Sequence, residues 1–379
     1  MRSIDTLVKV SLGLFFGALL QCHTQPQCQA QTPSQTLPQI PLNSPGLVLE
    51  RPKDVRYVEI EGGFMVPYQQ PIPGTEHAIW MEPIPAPKEA KSSSSKLFAK
   101  PSPFWMARYE ATHADYLPYM KLYRVFKDFD RVKIRPITRA SEVDAVTAPT
   151  EIYDPSYAFE YGVEMQHPVG TMTLYCARQY TKWLSKLTGS EFRLPTVGEW
   201  EHACRAGSTT KWHFGDSTHR LTQYAWFDQV DEVPGYRKVG QLRPNDWDLY
   251  DMHGNMAEWV LQPGVTSANK QILKGGCWEF PATQCTVDSV LSFDDDAFRV
   301  EDANVPMSPW WLASHESRWV GFRIIRPLHA MNAAERKFAW EFHTEEEKLA
   351  VEMRLDEGRG ALGKVDPELP TAIESLSER

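Results

Sequence analysis

The sequence predicts an α+β fold that is rich in loops, with short strands and two main helices. Two segments with helical spacing, 171–187 and 196–205, are separated from short alternating runs by many turns. The chain has 13 Trp and 29 Pro among 379 residues, and 11 of the Trp lie between Trp105 and Trp319. Large aromatic side chains stabilise irregular backbone that offers few periodic faces for burial. The ordered body is therefore expected in the middle of the chain.

The composition allows a sizeable core and argues against a nucleic-acid partner. Apolar residues make up 42% and charged residues 23% of the chain, and the formal net charge is -9. The segment 328–379 carries 12 acidic and 7 basic residues, which accounts for -5 of that charge. Because the sequence has no stripe of Lys and Arg that would neutralise phosphates, we expect no nucleic-acid binding.

The first 30 residues have the pattern of an export signal peptide. Arg2 and Lys9 precede an apolar run over residues 10–20, which is too short to span a bilayer, and cleavage after Ala30 would follow small residues. A second interpretation places a lipid on Cys22, and a third makes the run an apolar core strand. We expect an exported protein that is periplasmic, an outer-membrane lipoprotein or secreted. Contact with a membrane is expected only through a lipid anchor.

A linker and two strands are predicted before the first helix. Residues 31–54 are rich in Pro, Gln and Ser and are expected to form a disordered linker. Alternating apolar and polar residues predict strands over 55–60 and 104–109. The structured domain is therefore placed at residues 55–327.

The two main helices have local start and stop signals. Residues 171–187 place an apolar face on the first helix, and Gly189 ends it. Thr196 and Glu199 form the Thr-x-x-Glu capping box of the second helix, 196–205, which also ends before a glycine. The apolar face of the first helix consists of Cys176, Tyr180, Trp183, Leu184 and Leu187.

Two further helical segments are predicted on weaker signals. The chain turns helical after Glu110, with Thr112 as the N-cap. Residues 331–357 have helical spacing and many charges, which predicts a solvated or partner-docking helix. Residues 358–379 are expected to be a frayed tail, so that 328–379 forms a charged C-terminal helix and tail.

Several ordered sequence blocks point to one family. The longest block contains the capping box of the second helix followed by a Trp and a Cys, and another contains two carboxylates around a glycine turn. Each block alone is weak, but their number, order and spacing argue against a chance match. The blocks are 109–112, 167–169, 193–207, 214–216, 248–260, 274–278 and 321–323.

Together these blocks resemble the formylglycine-generating enzyme family, also called sulfatase-modifying factors, over residues 56–327. The resemblance implies a C-type-lectin-like fold. Most positions in the blocks are expected to be structural. Trp200, Trp259 and Trp278 are expected in the core, because large aromatic side chains bury the most area in such folds.

Two glycines and one arginine have predicted scaffold roles. Gly254 and Gly276 are expected to allow positive φ or a close backbone approach. The planar guanidinium of Arg323 suits a buried carboxylate, and Glu199 or Glu201 is the expected partner.

Asp251, Gly254, Met256 and Glu258 form the best candidate ion site. The two carboxylates are seven residues apart, and they can converge with the main-chain carbonyls of Gly254 and Met256 if the chain turns tightly between them. Calcium takes about six to eight oxygen ligands and tolerates irregular cages. By resemblance, members of the family bind calcium at these four positions. The alternative is a plain turn with acidic residues on the surface.

The resemblance also implies copper(I) held by two cysteines, which together oxidise a substrate cysteine to formylglycine with oxygen. Counting from Gly276, the second of these cysteines falls on Cys285 and the first on Phe280, which cannot bind a metal. Cys277 replaces the family's serine, so a different pair, Cys277 and Cys285, lies eight residues apart. Soft thiolates suit copper(I). Three alternatives follow: an inactive or divergent scaffold, a repositioned copper dithiol, and a structural disulfide or free thiols.

Two other cysteines match positions that form disulfides in some family members. The expected partners of Cys176 and Cys204 fall on Ile324 and Val290, so those bridges cannot form. The four cysteines after the export signal allow three full pairings, and the sequence does not choose among them.

Other catalytic chemistries lack their sequence motifs. The chain has no His-Glu-x-x-His zinc helix, no Gly-rich phosphate loop and no serine nucleophile elbow. His113, His167, His202 and His253 are expected to be helix or turn residues rather than ligands.

Two classes of function therefore remain. The first is a formylglycine-generating oxidoreductase that acts on a cysteine in an extended peptide or sulfatase-like protein, with Cys285 as the catalytic and copper-binding residue and Cys277 as its partner. The second is a non-catalytic module that binds a peptide or a glycan. Its expected surface is a pocket near Trp278 together with the insertion 293–319, whose aromatic residues suit such recognition.

Overall fold

The computed structural model describes the chain from residue 44 to residue 377 with several gaps. All described residues belong to one contact unit that spans residues 39–379. The predicted signal peptide, Cys22 and residues 293–307 of the insertion lie outside the described residues. In the described part, no helix is long and apolar enough to cross a membrane. The described ranges are 44–87, 97–98, 102–152, 159–228, 234–264, 271–292, 308–312 and 315–377.

Short strands build four small sheets within the described residues. The strands are β1 (Leu47–Val48), β2 (Val58–Ile60), β3 (Gly63–Met65), β4 (Tyr68–Pro71), β5 (Ala78–Ile84), β6 (Phe104–Ala107), β7 (Ala145–Ala148), β8 (Ala257–Trp259), β9 (Ile272–Lys274), β10 (Leu291–Ser292), β11 (Val320–Phe322), β12 (Ile325–Pro327) and β13 (Ala361–Lys364). Their orders are β1-β3-β2, β12-β6-β5-β4, β10-β9-β8-β11 and β13-β7. In the third sheet, β11 runs parallel to β8, which brings the end of the domain beside the candidate ion site.

The helices confirm the predicted α+β class and include two that the sequence did not predict. The two main predicted helices are the third and fourth of the described helices. The unpredicted ones are the second, which extends the helix after Thr112 across a break at Lys121, and the last, which lies in the predicted tail. The helices are α1 (His113–Met120), α2 (Leu122–Arg131), α3 (Leu174–Thr188), α4 (Val197–Arg205), α5 (Ala333–Trp340), α6 (Glu345–Asp356) and α7 (Leu369–Ser377).

The predicted helix caps are confirmed. Thr112 and Thr196 each accept a hydrogen bond from the backbone N–H three residues later. The Glu199 carboxylate in turn accepts one from the Thr196 N–H, as a capping box requires. Gly189 adopts φ 74° after α3 and donates to the carbonyl of Ser185. These caps are local, so the sequence alone defines where α1 and α4 begin and where α3 ends.

Helix α3 is buried on nearly every side, although the sequence predicted one apolar face. Its predicted apolar residues are all buried, but so are Arg178, Gln179 and Lys182 on the other side. Arg178 donates to both carboxylate oxygens of Glu347 at 2.8 Å, and Lys182 pairs with Glu341 at 2.8 Å. The helices of the C-terminal segment therefore cover the polar face of α3.

The structure corrects two predictions about the ends of the domain. Residues 44–54 belong to the predicted linker, yet Leu47–Val48 pairs with β3. The predicted frayed tail contains β13 and α7, and β13 pairs antiparallel with β7 from Ala361 to Lys364. The tail is ordered because Val365 and Leu369 are buried in the main core. The partner of the charged C-terminal helices is the chain's own α3.

Candidate functional site

A fully buried arginine lies where several of the sequence blocks described above meet. Arg323 follows β11, and its Nη2 and Nε donate to Glu258 Oε1 at 2.7 and 3.0 Å. Its remaining donors bond to main-chain carbonyls, including those of Ala107 at 3.0 Å and Tyr250 at 2.9 Å. Trp200 on α4 donates its indole N–H to Glu258 Oε2 at 2.7 Å. The arginine therefore joins β6, β8, β11 and α4 into one body.

The partner predicted for Arg323 is wrong. Glu199 is bound to Arg193 at 2.7 Å, and Glu201 is bound to Lys274 at 3.1 Å. Glu199 is already engaged, because its carboxylate accepts a hydrogen bond from the Thr196 N–H at the start of its own helix. Arg323 pairs instead with Glu258, one of the predicted calcium ligands.

Two more carboxylates lie buried near this ion pair. Glu110 accepts hydrogen bonds from Asn255 Nδ2 at 2.5 Å and from the Met256 N–H at 2.8 Å. Asp251 accepts from the Gly240 N–H at 2.7 Å through Oδ2, and its Oδ1 has no partner among the described residues. Burial raises the pKa of Asp251 to about 6, and burial together with the charges of Asp251 and Glu258 raises the pKa of Glu110 well above its ordinary value.

The chain makes the predicted tight turn between the two candidate calcium carboxylates. Asp251, Gly254 and Asn255 all have positive φ, at 57°, 78° and 54°. A side chain at Gly254 would collide with the carbonyl of Trp226, because the two backbones approach there. The predicted role of Gly254 is confirmed, and the turn places Asp251 beside Glu110 and Glu258.

The two candidate catalytic cysteines are close together and completely buried. The Cys285 sulfur lies 3.7 Å from the carbonyl oxygen of Cys277, and both residues are 0% exposed. Gly276 has φ 71°, and a Cβ there would lie 2.6 Å from the Cys285 sulfur. Burial raises the pKa of Cys285 to about 12 and raises the pKa of Cys277 well above its ordinary value, so both are neutral thiols near pH 7.

Residues 72–328 match the Sulfatase-modifying factor enzyme 1-like domain, and this range includes well over half of the chain. The chain belongs to this family. The match contains the arginine centre, the glycine turn and both buried cysteines. It ends before α5, so the C-terminal helices and β13 lie beyond the family domain.

Individual relatives of this sulfatase-modifying factor domain have varied names. The serine/threonine-protein kinase pkn1 of Chlamydia pneumoniae is 28% identical over 146 residues, which cover 34% of this chain and 20% of that protein. The "Inactive C-alpha-formylglycine-generating enzyme 2" of Bos taurus is 30% identical over 125 residues, which cover 30% of this chain and 40% of that protein. The structure of Treponema denticola variable protein 1 aligns with TM-score 0.45 and 18% identity over 69% of this chain and 98% of that chain. The chain thus spans about a fifth of the kinase relative.

The family resemblance implies calcium at this centre. The charge of the buried centre suits a calcium ion, but the four predicted ligands do not all suit it. Three carboxylates and one guanidinium leave an excess of negative charge, and Asp251 Oδ1 is available. Glu258 instead directs both oxygens at Arg323 and Trp200. Across the described residues, no three His, Cys, Asp or Glu side chains are grouped closely enough to hold a metal. Asp251 and main-chain oxygens would hold the ion, and Glu258 would supply charge.

Copper(I) does not fit the described thiols as they are arranged. Phe280, at the position of the family's first cysteine, packs its ring 5.0 Å from that of Trp319. The remaining pair, Cys277 and Cys285, would have to lose two protons that burial stabilises. We therefore derive no reaction step through copper at this site.

The other two cysteines of the domain are also free thiols. Cys176 lies 2.9 Å from the Tyr116 hydroxyl inside the aromatic core. Cys204 on α4 lies 3.7 Å from Nε2 of His253. Neither is bridged in the structure, and burial raises the pKa of both thiols. Their surroundings indicate packing roles.

Sequence reasoning missed a histidine pair beside the cysteine segment. His253 is fully buried, its Nδ1 lies 2.9 Å from the carbonyl oxygen of Cys285, and its Nε2 lies 3.1 Å from Nδ1 of His213. No local pattern in the sequence signals this pair, because the two histidines are 40 residues apart. His253 was predicted to be a turn residue, which is where it lies, but its contacts are all with distant residues.

The aromatic residues proposed for recognition by a binding module are buried. Trp310 and Trp311 donate their indole N–H groups to Thr147 Oγ1 at 3.3 Å and to the carbonyl of Thr150 at 2.7 Å. Trp278 is 5% exposed, and its ring lies edge-on to Tyr161 at 5.0 Å. The core roles predicted for Trp200, Trp259 and Trp278 are confirmed. A recognition surface at Trp310 and Trp311 is a wrong prediction, because both rings pack against β7 and the segment that follows it.

Proposed function

We propose that this protein is a non-catalytic member of the family, exported as its N-terminal pattern predicts, that binds or assembles with a peptide or a glycan. One observation carries the proposal: Cys277 and Cys285 are completely buried neutral thiols, and Phe280 stands where the family has its other thiol. Buried thiols of raised pKa are poor nucleophiles and poor metal ligands. Neither residue is exposed to a substrate cysteine at the surface.

The family contains members whose names indicate loss of the oxidase reaction. The bovine relative is called an inactive formylglycine-generating enzyme. A lectin-type scaffold of this kind retains its core landmarks without the chemistry, because those landmarks are structural. In this chain the landmarks Trp200, Glu258 and Arg323 are bonded to one another and need no substrate.

Copper titration with an oxygen assay tests the proposal. The wild type, Cys277→Ser and Cys285→Ser are titrated with copper(I), and oxygen consumption is followed with a cysteine-containing sulfatase peptide. We expect no thiol-dependent copper binding and no peptide turnover, because neither sulfur is exposed or ionised. Oxidation of the peptide by the wild type, lost in Cys285→Ser, would overturn the proposal.

The substitution Phe280→Cys provides a matched gain-of-function control. It places a thiol at the family's first cysteine position, five residues before Cys285. Copper(I) binding by Phe280→Cys, with none by the wild type, would show that the assay detects a dithiol site in this scaffold. The absence of copper(I) binding by the wild type would then be due to its sequence and not to the sensitivity of the assay.

A second candidate function is thiol chemistry at the pair Cys277 and Cys285. It is favoured by the 3.7 Å contact between the Cys285 sulfur and the Cys277 carbonyl oxygen, which places the two residues side by side. Copper(I) binding by the wild type that disappears in both serine variants is the outcome that supports this candidate over the non-catalytic module.

A further inference from the structure

An apolar groove lies between the family domain and the last helix of the chain. Its volume is about 590 Å³, and it is lined mainly by the turn between β4 and β5, by α1 and the start of α2, by the end of α3 and by α7. Helix α7 lies beyond residue 328, where the family match ends. Ligand sites have volumes of roughly 300–1,000 Å³ and are mostly apolar. The groove has this size, and one of its walls is specific to this chain's C-terminal segment.

The walls of the groove are fixed by contacts that need no ligand. In the β4–β5 turn, Gly74 lies so close to α7 that an added Cβ would be 3.1 Å from the Cβ of Pro370. The same turn is joined to α1, because His77 Nε2 lies 2.7 Å from Asp115 Oδ1. Leu369, at the start of α7, is buried in the main core. The groove is therefore preformed, which reduces the free-energy cost of ordering it when a ligand binds.

Most of the residues that line the groove are apolar. Trp183 and Leu187 of α3 are almost fully buried, whereas Leu117 of α1 and Ile373 of α7 are only half-buried. Met165, which also lines the groove, is 52% exposed. Covering such surface with apolar side chains is favourable, whereas sugar hydroxyls placed against it would lose hydrogen bonds to water. The lining therefore favours the side chains of a peptide over a glycan.

A backbone acceptor belongs to the wall that α1 forms. Pro118 lies inside α1 and has no N–H, so it cannot donate to the carbonyl of Ala114 four residues earlier. Ala114 and Pro118 both line the groove. A carbonyl that loses its usual helical partner needs another donor, and a ligand that displaces water from the groove has to supply one. The backbone N–H of a peptide is such a donor.

The charged side chains of the groove favour a cationic partner. Glu76 in the β4–β5 turn and Glu374 on α7 are both exposed and line the groove, and Lys121 is the lysine in the same lining. His77 is already engaged by Asp115. The chain as a whole has a net charge of -9, which adds to the attraction of a cation. A basic group on the ligand would therefore find complementary charge at the groove.

We propose that this groove binds a peptide segment that has apolar side chains next to a lysine or arginine. The apolar side chains cover the half-buried walls at Leu117 and Ile373, a backbone N–H donates to the Ala114 carbonyl, and the basic side chain pairs with Glu76 or Glu374. The proposal rests on the binding function proposed above, and it chooses a peptide over a glycan at this groove. It does not involve the thiols, so it has a separate readout.

Ligand-observed NMR on the full chain tests the proposal with two synthetic peptides. The basic peptide is Ser-Leu-Ile-Lys-Leu-Leu-Lys-Ser, and the acidic peptide has glutamate in place of both lysines. We expect the basic peptide to bind saturably with a Kd of about 0.1 mM or tighter, and the acidic peptide to bind about tenfold more weakly.

One substitution tests the location of the site. Met165→Lys replaces an apolar lining residue with a cation and should weaken binding of the basic peptide about tenfold. Its matched control is Val143→Lys, because Val143 is also an exposed apolar residue but lies outside the lining. The control should bind the basic peptide as the wild type does.

A double substitution tests the charge. Glu76→Gln with Glu374→Gln should weaken the basic peptide about tenfold and should not weaken the acidic peptide, since only attraction to a cation is lost. A variant that had merely lost its fold would bind neither peptide. The matched control is Glu59→Gln with Glu142→Gln, at exposed positions outside the lining, and it should leave both affinities unchanged.

Three outcomes would overturn the peptide groove. The first is that the basic peptide does not bind, and the second is that Met165→Lys and Val143→Lys bind it equally well. The third is that decylamine displaces it at a tenfold lower concentration, which would assign the groove to a small amphiphile. Melting curves show whether each variant is folded. Since the peptides contain no cysteine, failure of the groove would leave the copper and oxygen results unaffected, and oxidase activity would leave peptide binding unaffected.

Discussion

Arg323 balances only one of the three carboxylates in the buried centre. Glu110 and Asp251 remain beside Glu258, and Asp251 keeps an oxygen without a partner among the residues described. Unbalanced buried charge is unfavourable, so the centre gains stability from a cation or from protons. The two sources are separable, because one depends on calcium concentration and the other on pH.

The substitution Asp251→Asn tests the calcium source. We expect millimolar calcium to raise the melting temperature of the wild type, since an ion that binds only the folded state stabilises it, and we expect Asp251→Asn to lose that rise. Differential scanning fluorimetry with and without chelator measures it, and Asp130→Asn, at an exposed position, is the control. A wild-type melting temperature that does not respond to calcium contradicts the assignment. Glu258 is unsuitable for this test because its loss also breaks the bond to Arg323.

The buried ion pair of Arg323 and Glu258 gives a second prediction at the scale of single residues. Glu258→Gln leaves the guanidinium of Arg323 buried without its countercharge, which typically costs about 3–5 kcal/mol of unfolding free energy. Urea denaturation measures the loss. The control is Glu151→Gln, which breaks the exposed pair with Arg124 and should cause no measurable change. Equal effects of the two substitutions would mean that the buried pair has no special role.

At the scale of single elements, the N-terminus of α1 is held from two sides. Thr112 and Asp115 form its capping box, and Nε2 of His77, from the β4–β5 hairpin, lies 2.7 Å from Asp115 Oδ1. The hydrogen bond to Asp115 raises the pKa of His77, and partial burial opposes that rise. A hairpin and a helix are therefore joined through one titrating contact.

This contact predicts a pH-dependent loss in His77→Ala. Because the folded pKa of His77 is raised, its stabilising effect is complete below the ordinary histidine pKa and is lost as the pH rises through the folded value. The substitution should lower the melting temperature more at pH 5 than at pH 8, by an amount that corresponds to at most about 1 kcal/mol for a half-exposed pair. His219→Ala should show no such difference. A larger loss at pH 8 would reverse the sign and refute the assignment.

At the scale of the whole molecule, the C-terminal segment completes a core that the family domain leaves open. β13 pairs with β7, and α5 and α6 cover the polar face of α3. Gly363 on β13 packs so closely on the ring of Phe126 that a Cβ would collide with it. The segment is thus part of the folded body and not an appendage.

Gly363→Ala should therefore destabilise the entire domain. Overpacking of this kind costs about 1–3 kcal/mol, and the transition should stay cooperative because β13 belongs to the main core. The neighbouring exposed residue offers the control Leu362→Ala, which should change the unfolding free energy by less. Separate melting of the C-terminal segment would show instead that it folds on its own.

Features with local causes could be predicted from the sequence. The caps at Thr112, Thr196 and Gly189 depend on residues three or four positions apart. The ordered family blocks also predicted the fold and the core tryptophans, because their number, order and spacing are typical of one family. These predictions are all confirmed.

Features that depend on distant contacts could not be predicted. Arg323 and Glu258 are 65 residues apart, and nothing local distinguishes Glu258 from Glu199 or Glu201 as a partner. From the sequence alone, the polar face of α3 would be expected to face solvent, because the segment that covers it lies about 160 residues later. The pair His213 and His253 becomes visible only when the chain folds.

The pairing of β7 with β13 also affects how the protein folds as it is made. Residues 145–148 can pair only after residues 361–364 have been synthesised. A loop of about 210 residues must then close before this sheet forms. A nascent chain can therefore complete the β7–β13 pair only after nearly all of the polypeptide has left the ribosome. Under the export that we propose, late closure of this sheet would leave the chain unfolded for longer before it crosses the membrane.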